Sequence, residues 1–135
     1  TADADKVVNG DAVSFETVTA GGTDLAAVTA DTNILVLNGD IADTDALETA
    51  LEVGGSFVLT APGDGAGTND FVAGDSILVL YDNGTDSFLA AVTSTAGADN
   101  TTFAATDLTA VNLITFVGIS DVTTIVEGNF GTIVT

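Results

Sequence analysis

The stretch Gly74-Asp75-Ser76-Ile77-Leu78-Val79-Leu80-Tyr81-Asp82-Asn83-Gly84-Thr85-Asp86-Ser87-Phe88-Leu89-Ala90-Ala91-Val92-Thr93 reads as two strands joined by a tight turn. Residues 77–81 are an unbroken apolar run. Asp82-Asn83-Gly84-Thr85 ends it, and residues 87–93 supply the returning strand. Asn-Gly between two apolar runs is a strong hairpin signal, because both residues reach positive φ at low cost. A hairpin at the centre of the chain predicts a sheet around it.

Working outward, most other segments also read as strands. Residues 12–19 alternate, with Val13, Phe15, Thr17 and Thr19 facing one way and Ser14, Glu16 and Val18 the other. Residues 33–37 are a short continuous apolar run, suited to a strand covered on both faces. Residues 56–60, 111–117 and 131–135 complete the set. One segment breaks the pattern. Leu47, Ala50 and Leu51 share a helical face, Asp45 and Glu48 have the spacing of a capping box, and Gly54-Gly55 stops the helix. One amphipathic helix is expected at about 44–53. The fold class expected is mainly β, an antiparallel sandwich-like domain with one short helix, with an α+β arrangement as the alternative.

A chain of 135 residues suits one domain, and 46% hydrophobic residues supply its core. That apolar content argues against disorder in spite of the charge. Residues 1–30 form an N-terminal arm with the first strand, open to exchange with a neighbouring copy. Residues 31–135 form the β-rich core.

Charge limits the function more than any motif does. Twenty acidic residues face a single Lys, with no His, for a net charge of −19. Nucleic acid and anionic membrane surfaces are repelled, since both require Lys and Arg clusters. No apolar run is long enough to span a bilayer, and residues 1–11 are polar and acidic, unlike a signal peptide. Without Cys or His there is no thiolate or imidazole metal site, and nucleophile–base pairs of the usual kind cannot be assembled. A carboxylate pair for glycoside chemistry is chemically open. The chain has no Trp and one Tyr, however, so the aromatic platforms of a saccharide site are missing. No enzyme is expected.

Dense carboxylates attract hard cations, calcium above all, which takes six to eight oxygens from flexible loops. Three groups carry that chemistry. Asp64, Asn69 and Asp70 sit in a Gly-rich loop, Asp40 and Asp43 precede the helix, and Asp82, Asn83 and Asp86 crowd the hairpin turn. Each has a plainer reading beside it, because Asp and Asn form turns and caps without a metal.

The order of segments carries a likeness. Asn33-Ile34-Leu35-Val36-Leu37 leads through Asp43-Thr44-Asp45-Ala46-Leu47 to Gly74–Gly84, then Phe88-Leu89-Ala90, Asp107-Leu108-Thr109, Leu113-Ile114-Thr115-Phe116-Val117-Gly118-Ile119 and Glu127-Gly128-Asn129-Phe130. This resembles the C-terminal modules of bacterial type I-secreted, RTX-like calcium-associated surface and matrix proteins, over about residues 31–135. The repeated Gly-Gly-x-Gly-x-Asp nonapeptide of that group is absent. The resemblance implies an extracellular, non-catalytic role. With the charge balance it leads to the expectation of a self-assembling building block of a surface layer, fibre or biofilm matrix. Its partners would be copies of itself and divalent cations. The alternative is an export or anchoring module of a secreted adhesin.

Overall fold

The computed structural model describes residues 13–25, 34–62 and 71–130. In chain order the elements are β1 (Phe15–Val18), β2 (Thr23–Asp24), β3 (Ile34–Asp40), α1 (Thr44–Leu51), β4 (Leu59–Thr60), β5 (Ser76–Asp82), β6 (Ser87–Ser94) and β7 (Leu108–Phe116), followed by 3₁₀ turns at Val122–Thr124 and Glu127–Asn129. The protein is mainly β, as its sequence implies. The central hairpin is β5–β6, paired from Ser76↔Thr93 to Asp82↔Ser87. Its four-residue turn is closed by Asn83 N–H on Asp86 C=O, with Gly84 at φ +80°.

Five strands form one sheet in the order β1-β3-β5-β6-β7. Its second half, β5-β6-β7, is antiparallel. Its first half is not: β1, β3 and β5 run parallel, which corrects the expectation of an all-antiparallel sheet. For β3 and β5 the cause is the crossover: α1 lies between them in the chain and forms part of their connection, and parallel neighbours require such a link. β1 and β3 are joined by the segment that carries β2. The buried run Ile34, Leu35, Val36, Leu37 is the sequence mark of that arrangement, since a parallel strand is covered on both faces.

Alternation then divides the apolar residues between two layers. Leu35, Leu37, Val79, Tyr81, Ala90 and Val92 face α1, where Leu47, Ala50 and Leu51 meet them together with Phe57, Leu59, Phe71 and Phe103. Ile34, Val36, Leu80 and Leu89 face the other way, onto Val13, Val122 and Ile125. No second sheet closes this side among the described residues. It is covered by the segment after β7, whose Phe130 packs edge-on against Phe15 and Phe116. Burying each large aliphatic side chain in these layers contributes about 1.5–3 kcal/mol.

The helix begins at Thr44, as its sequence suggests, but its cap differs. Asp43, not Asp45, is the N-cap, its carboxylate accepting from Ala46 N–H at 2.9 Å. Asp45 lies in the first turn, where its charge suits the helix dipole. After Leu51 the chain folds back tightly, with Phe57 N–H on Ala50 C=O at 2.8 Å. A Cβ on Gly55 would stand 2.2 Å from Thr49 O and 2.3 Å from Ala50 O, both backbone atoms. Gly55→Ala is therefore expected to cost about 1–3 kcal/mol through forced backbone displacement, read as a lowered midpoint in urea with an unchanged slope.

Residues 1–12, 26–33, 63–70 and 131–135 lie outside the described residues, and with them the expected strand at 131–135 and most of the proposed arm.

Candidate functional site

The hairpin turn at the end of β5 gathers the acidic residues singled out in the sequence, and the fold uses them on its own backbone. Asp82 is buried. Its Oδ1 accepts from Gly84 N–H at 3.1 Å and its Oδ2 from Val122 N–H at 3.0 Å. Asn83 Oδ1 accepts from both Thr85 and Asp86 N–H. Asp86 Oδ1 accepts from Gly118 N–H at 2.7 Å, and Ser87 Oγ donates to Ile119 C=O at 2.7 Å. Asp82, Asp86 and Ser87 thus form a clip. It catches the chain as it leaves β7 and lays residues 118–130 under the sheet.

Asp40 is the register partner of Asp82 across β3–β5. Its carboxylate lies against the same turn, 3.2 Å from where a Cβ on Gly84 would be. The structure therefore brings Asp40, Asp82, Asn83 and Asp86 to one end of the sheet, while Asp43 is engaged as the helix cap. No group of three or more Asp or Glu arranged to hold a metal is found among the described residues. Asp64, Asn69 and Asp70 lie outside them.

Three glutamates that the sequence reading did not single out as site residues govern the sheet edges. On β7, Leu108 N–H is taken by Glu52 Oε1 at 3.0 Å and Ala110 N–H by Glu48 Oε1 at 2.7 Å. On β1, Phe15 N–H is taken by Glu127 Oε1 at 2.8 Å. A free edge presents unpaired N–H groups that another strand can capture. Here carboxylates occupy them. The signal was present in the i, i+4 spacing of Glu48 and Glu52, one residue after each core leucine, Leu47 and Leu51.

Beyond Ala110 the β7 edge changes character. Val111 is 62% exposed, Leu113 56%, Ile114 44% and Val117 81%. Residues 108–120 contain no charged side chain at all.

Two groups have displaced acidities. Asp121 is held below the usual carboxylate range by the Thr123 hydroxyl and backbone N–H that it accepts from. Tyr81 is raised, chiefly because burial penalises the phenolate; its hydrogen bond to Asn112 Oδ1 opposes this and the Asp43 charge adds to it. The sign for stability follows. Above about pH 10 the unfolded tyrosine ionises while the folded one stays protonated, so the unfolded state is favoured as pH rises toward the folded value. Thermal melts should be flat across neutral pH and fall above about pH 10. Tyr81→Phe should remove that slope while costing about 0.5–1 kcal/mol at neutral pH, Asn112 being free to bind water. Tyr81 is the only tyrosine, so its absorbance titration reports this one group.

Comparison with known proteins returns no matching family model, no similar curated protein and no similar solved structure. The site defines the chain by its own chemistry: a mixed-sheet β domain whose carboxylates fasten its turns and edges, with one apolar stretch of edge left open among the described residues. No described helix is long and apolar enough to cross a membrane.

Proposed function

We propose that this chain is a non-catalytic, self-assembling building block of an extracellular layer, fibre or biofilm matrix, stabilised by cations. The observation that carries this reading is the contrast between an anionic shell of net charge −19 and an open, uncharged, apolar sheet edge. The shell keeps copies apart in dilute buffer. Salt or calcium screens it, and the edge then finds a partner. The likeness to secreted surface and matrix proteins supports the extracellular address.

The position of β1 supports exchange of residues 1–30 between copies. Among the described residues it is the outermost strand of the sheet and pairs with β3 alone. The same strand from a neighbour would make the same hydrogen bonds. Calcium would bridge carboxylates of adjacent copies or enter the Gly-rich loop through Asp64, Asn69 and Asp70.

Light scattering of the purified chain tests the reading. Assemblies are expected in millimolar calcium or molar salt, with monomers in chelator at low ionic strength. A monomer under every condition defeats it.

A further inference from the structure

We propose that the open part of β7, residues 111–116, is the surface through which two copies of this chain join, edge to edge and antiparallel about a twofold axis. β7 is the last strand of the sheet, and no strand pairs with its outer side among the described residues. Glu52 and Glu48 occupy the N–H groups of Leu108 and Ala110 and reach no further. Val111, Leu113, Ile114 and Val117 stand out from the strand and are half or more exposed, save Ile114 at 44%. An apolar edge of this kind is a template for strand addition, and the bulge at Leu113 divides it into two short stretches, 111–112 and 114–116.

Charge selects the occupant. Two copies of net charge −19 repel wherever carboxylates meet. Residues 108–120 are uncharged, so two β7 edges can approach without opposing like charges, and a basic partner finds no complementary charge on the strand. The opposite edge of the sheet is a poor alternative: β1 has four residues, includes Glu16, and has Phe15 N–H already taken by Glu127. Head-to-tail joining of β7 to β1 is therefore disfavoured, and β7 on β7 remains. Antiparallel pairing places the two Glu48–Glu52 blocks at opposite ends of the junction, whereas parallel pairing would set all four carboxylates side by side. The blocks also stop the ladder at residue 110, which sets its register.

This inference rests on the self-assembly proposed above and names one contact within it. It yields pairs, which exchanged arms would link into polymers. Sedimentation of the full chain in 1 M sodium chloride, where screening is nearly complete, tests it. The wild type is expected to dimerise. Leu113→Lys, which puts a charged side chain into the apolar junction, is expected to weaken the dimer by about tenfold or more with an unchanged melting temperature. Thr115→Lys gives the same reading at a second exposed position, should Leu113→Lys melt lower. The chain lacks cysteine, so single cysteines at Val111, Leu113, Ile114 and Thr115 report the geometry. Disulfide dimers should peak at one position and fall away on both sides. Wild-type monomers in all salts overturn both this contact and the self-assembly reading. Dimers or polymers that ignore both lysines overturn the β7 contact alone. Equal cross-linking at all four positions overturns the twofold register.

Discussion

Asp82→Ala is expected to lower the unfolding free energy by about 3–5 kcal/mol. The carboxylate is 4% exposed and accepts two backbone N–H bonds, from Gly84 in the hairpin turn and from Val122 under the sheet. Hydrogen bonds to a charged group contribute about 1.5–3 kcal/mol each, and an alanine leaves both donors without an acceptor. Removing a buried charge offsets part of this, because the carboxylate has been desolvated and its register neighbour Asp40 carries the same sign. The bonds win because the loss is not local. Val122 is fully buried in the second layer with Ile34, Val36, Leu80 and Leu89, and its position depends on that bond. Asp82→Asn keeps one acceptor oxygen and should cost about half as much. Urea denaturation followed by circular dichroism distinguishes the two. An Asp82→Ala protein as stable as the wild type would mean that residues 118–130 are held by apolar packing alone.

The same residue shows how far the sequence could be read. The hairpin was legible because its signal is local: an apolar run, Asp-Asn-Gly-Thr, and a second run. The burial of residues 34–37 on both faces was legible from an unbroken apolar string. What the string did not convey is its consequence, a parallel β1-β3-β5 half, because strand direction is set by the connections between strands, such as the one through α1 from β3 to β5, and not by the strands themselves. The helix was placed correctly but capped at the wrong aspartate; Asp43 and Asp45 are both good caps by type, and packing of Leu47 and Leu51 into the core selects between them. The acidic cluster was found as a set of residues. Its work on the backbone of residues 84, 118 and 122 depends on partners about two to forty positions away, and spacing alone does not encode that.

The edge glutamates lead to the second large effect. The double substitution Glu48→Ala and Glu52→Ala is expected to cost about 3–5 kcal/mol and, at the same time, to increase self-association. Two carboxylates are lost, one from α1 and one from its C-cap, and with them the acceptors for Ala110 N–H and the buried bond to Leu108 N–H. Helix propensity cannot account for the loss, because alanine is the better helix former. The bonds also tie α1 to β7, so their removal loosens the helix from the edge strand as well as leaving donors unpaired. The second consequence has the opposite sense. With the carboxylates gone, the open stretch of β7 lengthens from residue 111 back to 108, and four negative charges leave the dimer junction. Strand pairing then gains length and loses repulsion. Glu48→Gln with Glu52→Gln separates the two effects, since each amide oxygen still accepts from the strand. That variant should lose under about 2 kcal/mol in all, because each bond survives in neutral form, and should keep the edge blocked. Denaturation curves together with scattering below the melting transition read both quantities. The expected result is an Ala variant that is less stable yet more associated, whose association Leu113→Lys reverses. An Ala variant that is destabilised and strictly monomeric in molar salt would show that the glutamates only fasten the helix and do not guard the edge.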